Sequence, residues 1–175
     1  MSSSRPTLVL LALALAGPAT AADLRLTSSA FQSETPMPMS FTCSGDDRSP
    51  PLAWTEPPAG TKAFALVVED PDAPAGTFTH WVIYDVPASA RALEESVPAD
   101  ERLPDGSVQG VNDGRKVGWL GPCPPPGPPH HYWFRLLALD APTGLPPRAS
   151  RTDVLTATRG HVLSESRLIG TFRRE

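Results

Sequence analysis

Three runs of the chain are apolar almost without interruption: "KAFALVVED" (Lys62 to Asp70), "THWVIYDV" (Thr79 to Val86) and "HYWFRLLALD" (His131 to Asp140). Each is rich in Val, Ile or aromatic residues, and each ends at a turn or loop marked by Pro or Gly. A strand with one wet face alternates apolar and polar residues. A continuous run predicts a strand covered on both faces. The third run is long enough for a helix, but Tyr132, Trp133 and Phe134 in succession favour a strand. Two weaker strands are expected at "LRLTSSAF" (Leu24 to Phe31) and "MSFTC" (Met39 to Cys43), where apolar and small polar residues alternate.

The C-terminal stretch has a different pattern. Ser150 or Thr152 can cap a helix carrying Val154, Leu155 and Thr158, and Gly160 ends it. A second short helix is expected next, then a final strand at "LIGTF" (Leu168 to Phe172). The chain holds 22 prolines in 175 residues, well above the usual share of about 5%, and they cluster in the connections. The longest connection is "PDGSVQGVNDGRKVGWLGPCPPPGPP". Ordered loops of that length are usually functional. There is no internal repeat and no heptad pattern.

The N-terminus predicts export. Arg5 precedes an apolar run from Leu8 to Ala16, Gly17 and Pro18 break it, and Ala19-Thr20-Ala21 is a small-x-small cleavage site. That is the layout of a secretory signal peptide over residues 1–21. The run is shorter than the ~20 apolar residues of a membrane-spanning helix. A single domain over residues 22–175 follows, periplasmic or secreted from a bacterium, with no stable membrane insertion once the leader is gone. The formal net charge is −4 and no basic run occurs, so nucleic-acid binding is not expected. Two cysteines, Cys43 and Cys123, in an exported chain invite one disulfide; the alternative is a pair of buried thiols.

The chemistry gathers around "EDPDAPAGTFTH". Asp70 and Asp72 sit in a proline-rich turn, where an X-Pro bond could be cis, and His80 heads the next strand. Strand alternation places His130 and Tyr132 on one face of their strand, with His131 and Trp133 on the other. It places His80 with Val82, opposite Trp81. Gly121 and Pro122 open the stiff stretch "GPCPPPGPP" just before His130. These residues could line one cleft, with the carboxylates orienting the imidazoles.

Together the motifs resemble the phosphatidylethanolamine-binding protein family, in its bacterial Raf-kinase-inhibitor-like branch. They are "DPDAP", a His at the head of the next strand, "GP" with a proline-rich loop, and then His-x-Tyr. "FTCSGDDRSPPLAW" (Phe41 to Trp54) and "DVLTATRGHVLSESRLIGTFRR" (Asp153 to Arg174) add to the match. The resemblance implies a mainly β fold, in which a large antiparallel sheet packs against a smaller one beside short C-terminal helices. It implies a pocket for phosphate-like groups or a phospholipid head group, built from Asp70, Asp72, His80, Gly121, Pro122, His130 and Tyr132. In that pocket His80 and His130 would donate to an oxyanion and gain charge as pH falls. Tyr132 would donate its hydroxyl, and backbone N–H groups near Gly121 would add fixed donors. On the same fold, Cys43 would end an early strand and Cys123 would lie in the pocket loop, so a bridge would pin that loop. Many relatives carry Arg where this chain has His131.

Other functions compete. The His/Asp cluster could hold a metal and make the chain a hydrolase, although no H-E-x-x-H spacing and no G-x-S-x-G elbow occurs. The chain could also present its surface to a protein partner as an inhibitor of a kinase or a hydrolase. Binding without catalysis fits the residues best, so no catalytic residue, cofactor or metal is assigned.

Overall fold

The computed structural model describes residues 23–174; the expected leader lies outside the described residues. In chain order the elements are β1 (Leu26–Thr27), β2 (Thr35–Pro36), a 3-10 turn (Met39–Phe41), β3 (Leu52–Trp54), β4 (Ala63–Asp70) and β5 (Phe78–Pro87). Then come β6 (Ala92–Leu93), β7 (Val108–Gln109), β8 (His130–Leu139), α1 (Arg151–Ala157) and β9 (Val162–Phe172). Six strands form the large sheet in the order β2-β9-β8-β4-β5-β7, and three form the small one in the order β1-β3-β6. The pairings are antiparallel except for the short parallel contact of β2 with β9.

The three continuous apolar runs are the centre of the large sheet. All eight residues of β4 are buried. On one face Phe64, Leu66 and Val68 pack with Trp81, Phe134 and the small-sheet residues Leu26, Leu52 and Trp54. On the other, Ala65 packs with Val82, Tyr84, Leu137 and Val154 of α1. β8 shows both regimes: burial alternates over its first residues and becomes continuous from Leu136 to Leu139, toward the α1 side. The helix starts as expected. Ser150 accepts from the Asp153 N–H while the Asp153 carboxylate accepts from the Ser150 N–H, a reciprocal cap. Arg151 then pairs with the buried Glu69, which ties α1 to the sheet.

Three sequence expectations are corrected. "MSFTC" is not a strand: Met39–Phe41 is a 3-10 turn after Pro38, and the Thr42 hydroxyl closes it onto the Met39 carbonyl at 2.8 Å. The strand expected over Leu24–Phe31 shrinks to Leu26–Thr27. Ser28 ends it by turning its hydroxyl to the Pro51 carbonyl and accepting from the Ala30 N–H. The second short helix after Gly160 does not form. The chain instead enters β9 at Val162 and pairs with the whole of β8, from Leu139↔Val162 to His130↔Phe172. Cross-strand partners favour this: Glu165 accepts from Arg135 at 2.9 Å, and Arg167 lies 4.3 Å from the Trp133 ring centroid.

Candidate functional site

Where β4 ends, β5 begins and β8 begins, the large sheet opens into a cleft of about 320 Å³. His80 reaches it through a β-bulge. Val68 pairs with Trp81 but Glu69 pairs with Thr79, so His80 is the extra residue. Simple alternation would send its side chain to the Val82 face. The bulge returns it to the face of Trp81, where its ring meets the Tyr132 ring edge-on at 5.1 Å. Bulges leave backbone groups unpaired, and here the long loop takes them up. Asp113 N–H donates to the Thr79 carbonyl at 3.0 Å, and Leu120 N–H donates to the His80 carbonyl at 3.0 Å. The Leu120 carbonyl in turn accepts from His80 Nδ1 at 2.6 Å.

The two acids of the turn hold two different histidines on opposite faces of β8. Asp70 is buried; one of its oxygens accepts from the Asp72 N–H at 2.8 Å and the other from His130 Nδ1 at 2.7 Å. Asp72 points away and takes His131, accepting from its backbone N–H at 2.8 Å and from its Nδ1 at 2.7 Å. That exposed contact holds the Asp72 carboxyl below the usual carboxylate range, against the opposing effect of burial. The structure therefore brings Asp70, His80, Gly121, His130 and Tyr132 together around the cleft, and leaves Asp72 and Pro122 out of its lining. Among the described residues no peptide bond is cis, so the prolines of the turn are trans.

Gly121 serves the loop's packing. A Cβ there would lie 2.7 Å from the Phe41 carbonyl oxygen and 3.0 Å from Thr42 Cα. Its N–H donates to Asp47 at 2.6 Å, and the neighbouring Leu120 N–H is engaged with His80. Two of the backbone donors expected near Gly121, its own and that of Leu120, are thus occupied within the protein. The same stretch carries the disulfide: Cys43 and Cys123 are joined, with their Cα atoms 5.4 Å apart, and both line the cleft. Cys43 sits in a turn, where the sequence predicted a strand end, and its N–H donates to the Pro122 carbonyl at 3.1 Å. Phe78, Leu120 and Pro124 also line the cleft. Pro124 belongs to the stretch "GPCPPPGPP" that the sequence already placed at the cleft, whereas Phe78 and Leu120 were not singled out; the only signal for Phe78 is its position two residues before His80.

The electrostatics are set by burial. Desolvation lowers the His80 pKa below its ordinary value, and this outweighs the Leu120 hydrogen bond and the negative charges of Asp70, Asp113 and Asp47. Donation from its second nitrogen therefore needs a proton that burial disfavours. The Tyr132 hydroxyl is pushed well above its ordinary pKa, first by burial and then by Asp70 and Asp72, so it stays a donor. That hydroxyl is buried and has no hydrogen-bond partner among the described residues. Among the described residues no Lys or Arg lines the cleft. Among the described residues, no group of three or more His, Cys, Asp or Glu is placed to hold a metal ion.

Comparison with known proteins matches this arrangement to one family. The family model described as phosphatidylethanolamine-binding protein matches residues 27–173. A UPF0098 protein of Methanothermobacter thermautotrophicus is 50% identical over 151 residues, which cover 86% of this chain and 99% of that one. LppC of Mycobacterium tuberculosis, whose name places it among lipoproteins, is 38% identical over 157 residues, covering 89% of this chain and 75% of its own. The crystal structure of YbcL of Escherichia coli, described as a member of the mammalian PEBP family, superposes with a TM-score of 0.81 at 31% identity, covering 88% of this chain and 100% of that one.

Proposed function

This chain belongs to the phosphatidylethanolamine-binding protein family, and on that premise we propose that it is a binding module which takes a phosphoryl head group or a comparable small anion into the cleft. The observation that carries this reading is the Tyr132 hydroxyl, a buried donor without a partner in a cleft that also holds His80 and His130. A buried polar group left unpaired costs about 1–3 kcal/mol, and a ligand oxygen would relieve it. His130 supports the same reading. Its Nδ1 is held by Asp70, the remaining nitrogen has no partner among the described residues, and in a doubly protonated ring that nitrogen is a charge-assisted donor backed by the Asp70 carboxylate. Export to a periplasmic or secreted location, after removal of residues 1–21, is part of the proposal. The Cys43–Cys123 disulfide and the lipoprotein name of a relative support it. The reading assigns no catalytic step.

Titration of phosphate and of O-phosphorylethanolamine, followed by NMR chemical shifts, tests it. Shifts should centre on His80, His130 and Tyr132. His130→Ala should weaken binding by about 1.5–3 kcal/mol, the worth of one hydrogen bond to a charged group. Shifts that cluster elsewhere, or a titration unchanged in His130→Ala, would remove the cleft from the function.

A further inference from the structure

His80 faces the cleft as an acceptor. Its Nδ1 lies 2.6 Å from the Leu120 carbonyl, and a carbonyl can only accept, so Nδ1 carries a hydrogen. A neutral imidazole has one N–H, which leaves Nε2 with a bare lone pair. The groups that act on the ring come from several elements: the charges of Asp70 on β4 and of Asp47 and Asp113 in the loops, and the rings of Phe78 on its own strand and Tyr132 on β8, at 5.0 and 5.1 Å. The three carboxylates favour a second proton, but burial of a ring only 5% exposed opposes it more strongly. The bulge and the paired Leu120 contacts fix the ring in this orientation. Asp70 stands beside it, no Lys or Arg among the described residues is in the lining, and Arg174 lies outside it with its guanidinium 3.6 Å from Cys123 Sγ, so at His80 a fully ionised tetrahedral anion would set its own lone pairs against those of the site. A phosphoryl group that still carries a proton would not.

We propose that His80 is the specificity-determining acceptor of the cleft: the bound group is a singly protonated phosphoryl group whose P–OH donates to His80 Nε2 while another of its oxygens accepts from the Tyr132 hydroxyl. This deepens, and rests on, the head-group reading above. It makes the cleft selective for phosphate monoanions, free or as monoesters, over sulfate, which has the same shape and is fully ionised at neutral pH. One direction of the hydrogen bond decides the selection, as unpaired buried polar groups generally do.

The test uses the unmutated protein at pH 6.5, where phosphoryl groups with a second pKa of about 6 keep a proton on an appreciable fraction of molecules. Long-range 1H–15N spectra of the free protein should show His80 protonated at Nδ1 and bare at Nε2. Inorganic phosphate should bind and move the Nε2 resonance. Sulfate should bind about tenfold more weakly or worse. Comparing inorganic phosphate with O-phosphorylethanolamine separates free phosphate from a monoester as the source. An Nε2–H tautomer, or sulfate binding within about threefold of phosphate, overturns the proposal and leaves the head-group reading standing. If neither phosphate nor O-phosphorylethanolamine binds, both fall.

Discussion

Replacing Cys43 and Cys123 together by Ser should destabilise the protein mainly through its unfolded state. The bridge spans a sequence separation of 80 residues. The loop-closure relation for a ring of that size gives about 4.5 kcal/mol at 25 °C. In the folded protein the same loop is held by other contacts: Cys43 N–H to Pro122, Gly121 N–H to Asp47, and the Trp119 indole to the Phe41 carbonyl at 3.2 Å. The native structure should therefore survive the substitution, while the freed unfolded chain gains entropy. At about 2–4 °C per kcal/mol for a domain of this size, the melting temperature should fall by roughly 10–15 °C. Urea unfolding followed by tryptophan fluorescence measures both parts of the argument. The midpoint should drop and the slope m should rise, because an uncrosslinked chain exposes more surface. A loss below about 1 kcal/mol would refute the entropic account. A large loss with unchanged m would place the effect in the native state instead.

Tyr132→Phe should leave the free protein as stable as before or up to about 1 kcal/mol more so, since it deletes an unpaired buried hydroxyl, while weakening phosphate binding by about 0.5–1.5 kcal/mol; parallel melting and titration would show the opposite signs, and a loss of both would mean the hydroxyl has a partner in the fold. His80 has its folded pKa below the unfolded value of about 6.5, so below that pH the unfolded chain binds more protons and stability falls as pH falls. The slope between about pH 6.5 and 5 should flatten in His80→Gln, and an equal slope in both proteins would assign it to other groups. Asp72, whose folded pKa is lowered, acts further down: its contribution is full above its unfolded value of about 3.8 and is lost as pH falls below it. Gly121→Ala should cost about 1–3 kcal/mol, because the added methyl meets the Phe41 carbonyl and Thr42 Cα; an alanine variant with unchanged melting would show that the loop shifts freely.

Much of the fold could be read from the chain because burial is written into it locally. β4, most of β5 and the second half of β8 are covered on both faces, and their nearly unbroken apolar character states this directly. The helix cap at Ser150 was equally local. β9 was not: "VLSESRLIGTF" carries Ser, Glu and Arg, and only its pairing with β8 across more than twenty intervening residues makes it a strand. Met39–Phe41 failed for the converse reason, since a short alternation is weak evidence beside a proline and a Thr that can close a turn. In the site, the residue types were legible and the pairings were not. Alternation assigned His130 and His131 to opposite faces correctly, but which of Asp70 and Asp72 reaches which ring depends on how the turn folds back. Alternation also misplaced His80, because a bulge has no signature in residue type.

The bulge at His80 has a counterpart further along the same strand. Between Phe64 and Leu66 the register of β5 slips again, near Asp85, whose φ of 54° marks the irregular position. The strand thus changes phase twice. Trp81 and Ile83 face the main core in one phase, and Val86 returns to that core only through the second slip. The site is therefore encoded in the length of the segment as well as in its letters. Deleting the residue at position 80 would restore the regular phase with Thr79 still opposite Glu69 and Phe78 still opposite Asp70, so the strand would close up while the cleft lost both its extra imidazole and that ring's anchor on Leu120. In this fold a single-codon deletion in β5 is a more drastic change to the cleft than most substitutions within it.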